Sequence, residues 1–264
     1  MIEVNELRKS FGDVKAVGGI NFKVSEGEIF GFLGPNGAGK TTTIKMLTTL
    51  LKPTSGHILV DGNNPATEQD KIRRTFGIVF QDQSLDDELT ALENMEFHGV
   101  LYRVPKDIRK KRIEELLKFV ELWDRRKDYV KNFSGGMRRR LEVARGLIHH
   151  PKILFLDEPT LGLDPKTRNH IWGHITRLNK EEKMTVFLTT HYMEEADKIA
   201  RTIAIIDHGK IVAQGSSSEL REKTKTTSLE EAFLKLTGTT IREESANAID
   251  MMRIGRKLWN RNKK

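Results

Sequence analysis

Gly34-Pro35-Asn36-Gly37-Ala38-Gly39-Lys40-Thr41 separates a strand-like run at residues 28–33 from a helix-like run at 41–51 that ends before Pro53. The pattern is a glycine, four variable residues, then Gly-Lys-Thr. Its place between a strand and a helix is the context in which such a loop cradles phosphate. Glycine lets the backbone turn sharply enough for successive N–H groups to point at one anion, and the following helix presents the positive end of its dipole to it. Lys40 adds a mobile cation, Thr41 a hydroxyl suited to Mg²⁺, and Thr42 a second hydroxyl for phosphate. Taken alone, the loop suits kinases, GTPases and motor ATPases equally.

The rest of the chain supplies the fold that such a loop needs. Residues 2–7, 20–24 and 28–33 have strand patterning, broken by Gly12 and by Ser25-Glu26-Gly27, and further strands are expected at 56–60 and 76–80. From about 82 to 150 the sequence becomes charged and helix-forming, with helices expected at 105–120 and 136–149. Strand and helix then alternate: strand 153–156, helix 165–179, strand 185–189, helix 193–200, and strands 202–207 and 211–214. This rhythm predicts an α/β fold with a mainly parallel sheet covered on both faces, an N-terminal antiparallel β subdomain and an inserted helical lobe.

At 264 residues the chain has room for one such domain with its lobe, but not for two in tandem. It has no cysteine, which removes disulfides and thiolate metal sites. The start, Met1-Ile2-Glu3-Val4, has no signal-peptide character, and apolar stretches such as Ile203-Ala204-Ile205-Ile206 fall far short of the roughly 18 residues of a spanning helix. The net charge is +8, yet the basic clusters at 109–112, 125–127 and 138–140 are each followed closely by acids. They are expected to be solvated helix faces, and no specific nucleic-acid partner is expected.

A second run gives the loop its chemistry. Ile153-Leu154-Phe155-Leu156-Asp157-Glu158 is an apolar strand ending in adjacent carboxylates, placed at the carboxyl edge of the sheet where open α/β folds bind ligands. Asp157 is suited to hold Mg²⁺, and Glu158 to polarise an attacking water as general base. Two acids at a strand end often only cap a helix. Their position before Pro159-Thr160 and downstream of the phosphate loop favours an ATP-hydrolysing site.

Phe133-Ser134-Gly135-Gly136-Met137, followed by Arg138-Arg139-Arg140-Leu141, resembles the signature motif of the ATP-binding cassette (ABC) ATPases. Physically it is a serine cap and two glycines at a helix start, a good place to receive phosphate. The resemblance implies that Ser134, Gly135 and Gly136 contact the γ-phosphate bound by a second copy, so that two cassettes face each other head to tail. It further places Phe11 against adenine and lets Gln81 reach both magnesium and the attacking water. Asp164, in Leu161-Gly162-Leu163-Asp164, falls in the loop that crosses the dimer interface, and His191 at the γ-phosphate. The likeness covers nearly all of residues 2–237, with Phe133 where leucine is commonest and Met137 where glutamine is usual.

Within that family the chain is similar to ATPase subunits of daunorubicin-resistance, ABC-2-type drug exporters. The likeness rests on residues 134–141, on 158–165 and on 228–238. It implies an ATPase that uses ATP and Mg²⁺, pairs with a second copy of itself and with an integral membrane permease, and sits peripherally at the cytoplasmic face of the cell membrane. A soluble ABC ATPase acting on ribosomes or DNA is the alternative. Such proteins usually carry two fused cassettes or a long coiled coil, and residues 81–134 leave room only for a compact lobe. A kinase would not account for Ser134-Gly135-Gly136 or His191. Residues 238–264 form a basic extension, expected to be a frayed tail or a basic amphipathic helix resting on a partner subunit or anionic lipid.

Overall fold

Alternating apolar residues make the first strands one-sided, and a bulge resets their phase. In β1 (Ile2–Phe11), Ile2 and Val4 point inward, and the register shift between Val4 and Leu7 brings Leu7 to the same face. Glu6 sits within that shift at φ +47°, a local kink of the kind that a β-bulge produces. β1 pairs antiparallel with β2 (Val14–Val24). Next come β3 (Ile29–Leu33), α1 (Lys40–Leu47) and β4 (Ser55–Val60), the last completing a three-stranded antiparallel sheet of order β2-β1-β4. The computed structural model describes residues 1–238, so the basic extension lies outside the described residues from 239 onward.

After α2 (Gln69–Arg73) and β5 (Phe76–Val79) come the three lobe helices α3 (Ala91–Leu101), α4 (Lys106–Phe119) and α5 (Gly135–Gly146). The α/β alternation then resumes with β6 (Ile153–Asp157), α6 (Pro165–Glu182), β7 (Thr185–Thr190), α7 (Met193–Ile199) and β8 (Thr202–Asp207). The described residues continue with β9 (Lys210–Gly215), α8 (Ser217–Thr224) and α9 (Leu229–Thr237). The large sheet has the order β5-β6-β7-β3-β8-β9, parallel except for β9 against β8. The three lobe helices therefore form the connection between two neighbouring parallel strands, β5 and β6.

Strands β3, β6 and β7 are buried at every residue because the sheet is covered on both sides, which is why they appear as continuous apolar runs. Odd and even positions serve different cores. Phe30, Phe32, Phe155 and Phe187 join Phe22 of β2 in an aromatic cluster with neighbouring ring centroids 5.5 to 5.9 Å apart, locking the small sheet onto the large one. Leu154, Leu156, Val186 and Leu188 face the other way, onto Leu117 and Leu141 of the lobe and Ile175 of α6.

One boundary and one basic cluster differ from the sequence expectation for local reasons. α1 stops at Leu47 instead of residue 51, because Thr48 Oγ1 returns to the Ile44 carbonyl (2.8 Å) and Thr49 turns the chain at φ +65°. The basic cluster 138–140 is not uniformly solvated: Arg139 is buried, while Arg138 and Arg140 remain at the lobe surface. Among the described residues no helix is long and apolar enough to cross a membrane.

α5 lies so close to β5 that a Cβ on Gly77 would penetrate the Gly146 carbonyl oxygen. This approach seats the C-terminal end of α5 against β5, at the end of the helix opposite Ser134. Gly77→Ala should lower stability by about 1–3 kcal/mol through overpacking, measured as a reduced thermal midpoint. An unchanged midpoint would mean that α5 is free to move off the strand.

Candidate active site

The phosphate loop closes around its own lysine. Gly39 caps α1 at φ +109°, and a Cβ there would lie 2.6 Å from the Ala16 carbonyl oxygen, so glycine is required both for the turn and for the close approach. Asn36 and Gly37 form the exposed tip, Gly34, Pro35 and Ala38 are buried, and Thr41 and Thr42 are half-buried on the first turn of α1. Lys40, only 6% exposed, donates to the carbonyls of Gly34 (2.7 Å) and Pro35 (3.3 Å), and its Nζ lies 3.4 Å from Glu158 Oε1.

β6 delivers the two carboxylates from the adjacent half of the sheet. Glu158 follows the strand at φ +51°, a backbone conformation unfavourable for a residue with a Cβ, and its N–H bonds both the carbonyl and the hydroxyl of Thr189 at 3.1 Å. Thr189 Oγ1 donates to Asp157 Oδ1 (2.6 Å), leaving Asp157 Oδ2 buried without a protein partner. His191 ends the same segment, and its Nδ1–H donates to Glu158 Oε2 at 2.6 Å, since an ionised carboxylate can only accept. Burial pushes the Glu158 carboxyl up, but the His191 hydrogen bond and the charge of Lys40 outweigh it, so the group titrates below the ordinary carboxylate range.

Lys40, Asp157, Glu158 and His191 are thus brought together beside the loop, whereas among the described residues no hydrogen bond or ion pair joins Phe11, Gln81, Ser134 or Asp164 to them. Phe11 ends β1 half exposed, with Lys9 Nζ 5.0 Å from its ring centre; it is an open aromatic face and not a core side chain. Gln81 is exposed just beyond β5. Ser134 is exposed and caps α5 through Met137 N (3.3 Å), followed by exposed Gly135 and half-buried Gly136. Asp164 is exposed and caps α6, accepting from Thr167 N (3.0 Å) and Oγ1 (2.6 Å), bonds that hold its carboxyl below the usual range. Among the described residues no hydrogen bond or ion pair joins Ser134 to the Lys40 cluster.

A phosphate loop, paired strand-end acids, a histidine and a detached serine-capped helix are the parts of one known machine, and a family model described as ABC transporter matches residues 17–161. This chain belongs to the ABC transporter family. The cassette is 44% identical to the linearmycin resistance ATP-binding protein LnrL of Bacillus subtilis over 83% of this chain and 70% of that protein. It is 42% identical to the daunorubicin resistance ATP-binding protein DrrA3 of Streptomyces coeruleorubidus over 84% and 70% of the respective chains. Nod factor export ATP-binding protein I of Ralstonia nicotianae is 41% identical over 83% and 68%. Among solved structures, an ATP-binding subunit of an ABC transporter superposes with a TM-score of 0.81 at 27% identity, covering 89% of this chain and 99% of that one. A dimeric cassette, MJ0796, captured after hydrolysis with ADP and Pi, gives 0.75 at 31% identity over 82% and 98%. The chain is accordingly an ATP-binding, ATP-hydrolysing cassette of the ABC ATPase fold.

Two contributions to this ABC cassette were missed in the sequence. Thr189 holds Asp157 by its hydroxyl and Glu158 by both its oxygens, yet it is one threonine in an apolar strand. Glu195, buried in α7, accepts from Thr160 Oγ1 (2.8 Å) and Thr190 Oγ1 (3.2 Å), tying the segment after Glu158 to the one before His191. Neither stands in a motif that announces it.

Because the His191 bond lowers the Glu158 pKa, His191→Ala should raise it, moving the acid limb of the kcat/KM profile to higher pH. A limb that does not move would show that another group sets it.

Proposed function

We propose that residues 2–237 form one ATPase domain, with the lobe at 82–150 inserted, which drives an exporter through a separate membrane subunit. The observation that carries this reading is the split between the buried Lys40–Glu158–His191 cluster and the exposed Ser134 helix tip, two half-sites that one chain leaves apart. Two copies arranged head to tail would complete both, and the solved cassettes with this fold include dimers. The loop at 34–42 would bind the triphosphate, Phe11 would stack on adenine, and Ser134, Gly135 and Gly136 of the second copy would contact the γ-phosphate beside Asp164. Glu158, ionised at neutral pH, would take a proton from the attacking water while His191 holds its carboxylate in place.

The donor set fits Mg²⁺. The unpartnered Oδ2 of Asp157, the Thr41 hydroxyl and the Gln81 side-chain carbonyl are hard oxygen ligands, and one of them is buried and otherwise unsatisfied. The ion when bound would neutralise charge on the phosphate oxygens.

Relatives named for antibiotic resistance and Nod factor export support an export role and give no support to a ribosomal or DNA substrate. A cleft of about 600 Å³ beyond Gln81, lined by Ser84, Leu85, Asp86, Phe97, His98 and Arg145, supports docking of a membrane partner at the cytoplasmic face. Phe97 lines it and is exposed, and Val100 and Leu101 are exposed apolar residues on the same helix, α3.

Glu158→Gln should keep ATP affinity, lose most turnover and accumulate an ATP-bound dimer, visible by size-exclusion chromatography in Mg²⁺-ATP. Wild-type turnover without such a dimer would contradict the role given to Glu158. Phe97→Arg should abolish co-purification with the membrane partner while leaving the thermal midpoint unchanged; retained co-purification would move the docking surface elsewhere.

A further inference from the structure

Arg139 leaves α5 on the side opposite solvent and reaches the ends of two strands. Its Nε donates to the Pro159 carbonyl (2.6 Å), Nη2 to the carbonyls of Asp157 (3.1 Å) and Glu158 (3.0 Å), and Nη1 to the carbonyl of Phe80 and to Glu142 Oε2 (2.9 Å). A guanidinium has five N–H groups, and all five are used. The side chain is 8% exposed and its partner Glu142 is 1% exposed. Glu142 Oε1 in turn accepts from Ser84 N at 2.8 Å, so the ion pair holds both sides of the segment containing Gln81.

Two properties make this a stiff joint. The planar fork fixes four carbonyls and a carboxylate relative to one another, which a flexible ammonium with a point charge does not do. Burial removes water that could take over a bond if one acceptor shifted, so the carbonyls move together or an unpaired charge is left inside the protein. The residue clamped at its centre, Glu158, is the one whose backbone is held at φ +51°.

We propose that Arg139 is a positioning residue that couples the two composite sites of the dimer. α5 carries Ser134 at its tip, and five residues further along carries Arg139. A triphosphate bound by the second copy pulls on the tip; the helix transmits that displacement as a rigid rod. Arg139 then passes it to the backbone of Glu158 and to the Gln81 segment of its own copy. Occupancy of one site thereby sets the geometry of the catalytic base in the other, a coupling between two binding sites through one shared element. The inference rests on the head-to-tail reading above.

Arg139→Lys keeps the charge and removes the fork, and Glu142→Gln removes the carboxylate that orients it. The test measures KM, kcat and the Hill coefficient for ATP in the full-length wild type and in both variants. Thermal midpoints and an active-site count are taken alongside. Wild-type hydrolysis should be cooperative in ATP. Arg139→Lys should leave KM unchanged, lower kcat about 10- to 100-fold through a displaced base, and reduce the Hill coefficient toward one. Glu142→Gln should move in the same direction. Combined with Glu158→Gln, Arg139→Lys should still give the ATP-trapped dimer. Non-cooperative wild-type turnover, or variants that retain wild-type kcat and cooperativity, would overturn the proposal. A loss of kcat that only tracks the number of folded sites, with cooperativity intact, would do the same. Absence of a dimer in Glu158→Gln alone would instead strike the head-to-tail reading, so the two failures are distinguishable.

Discussion

The buried contact between Lys40 and Glu158 organises everything else in this cassette. A charge taken out of water without a partner is costly, and here both charges are almost fully buried. Lys40 is held by two loop carbonyls as well as by the carboxylate, and Glu158 by His191 on its other oxygen. The phosphate loop follows β3 and the carboxylate follows β6, so the contact exists only if β7 spaces those strands correctly and the sheet is registered to the residue. The parallel order of the sheet and the phenylalanine cluster beneath it serve that registration.

The same arrangement explains why the site is one-sided. The cluster gathers a cation, two carboxylates and a histidine at one sheet edge, whereas Ser134 is exposed and its hydroxyl caps its own helix by accepting from Met137 N. The lobe that carries this helix is anchored at close quarters to β5 through Gly77 and Gly146, and its buried face is shared with α6. α5 therefore has its C-terminal end seated on its own sheet, while Ser134 and Gly135 at its start are exposed, a division of labour suited to meeting a second copy.

Much of this could be read before the structure because the decisive signals are local. A glycine loop needs only its neighbours to be recognised, and an apolar strand ending in Asp157-Glu158 shows its direction by where its polarity begins. Helices α3 and α8 were not expected from the sequence, although Thr90 with Glu93 and Ser216 with Glu219 form capping boxes at their starts. Non-local chemistry was not legible. Arg139 belongs to a run of three arginines whose burial depends on strand ends 18 to 20 residues later, with a further contact 59 residues earlier. Thr189 serves two carboxylates from a strand position that otherwise asks only for a β-former, and the bulge at Glu6 reflects pairing with two different partners.

If neither the Lys40 cluster nor the Ser134 tip is complete by itself, ATP is hydrolysed only between two copies. Specific ATPase activity measured across a dilution series, with association monitored in parallel under the same Mg²⁺-ATP conditions, tests it directly. Turnover per chain should fall as the dimer dissociates and disappear in the monomer. Constant turnover per chain at concentrations where only monomer is present would contradict it.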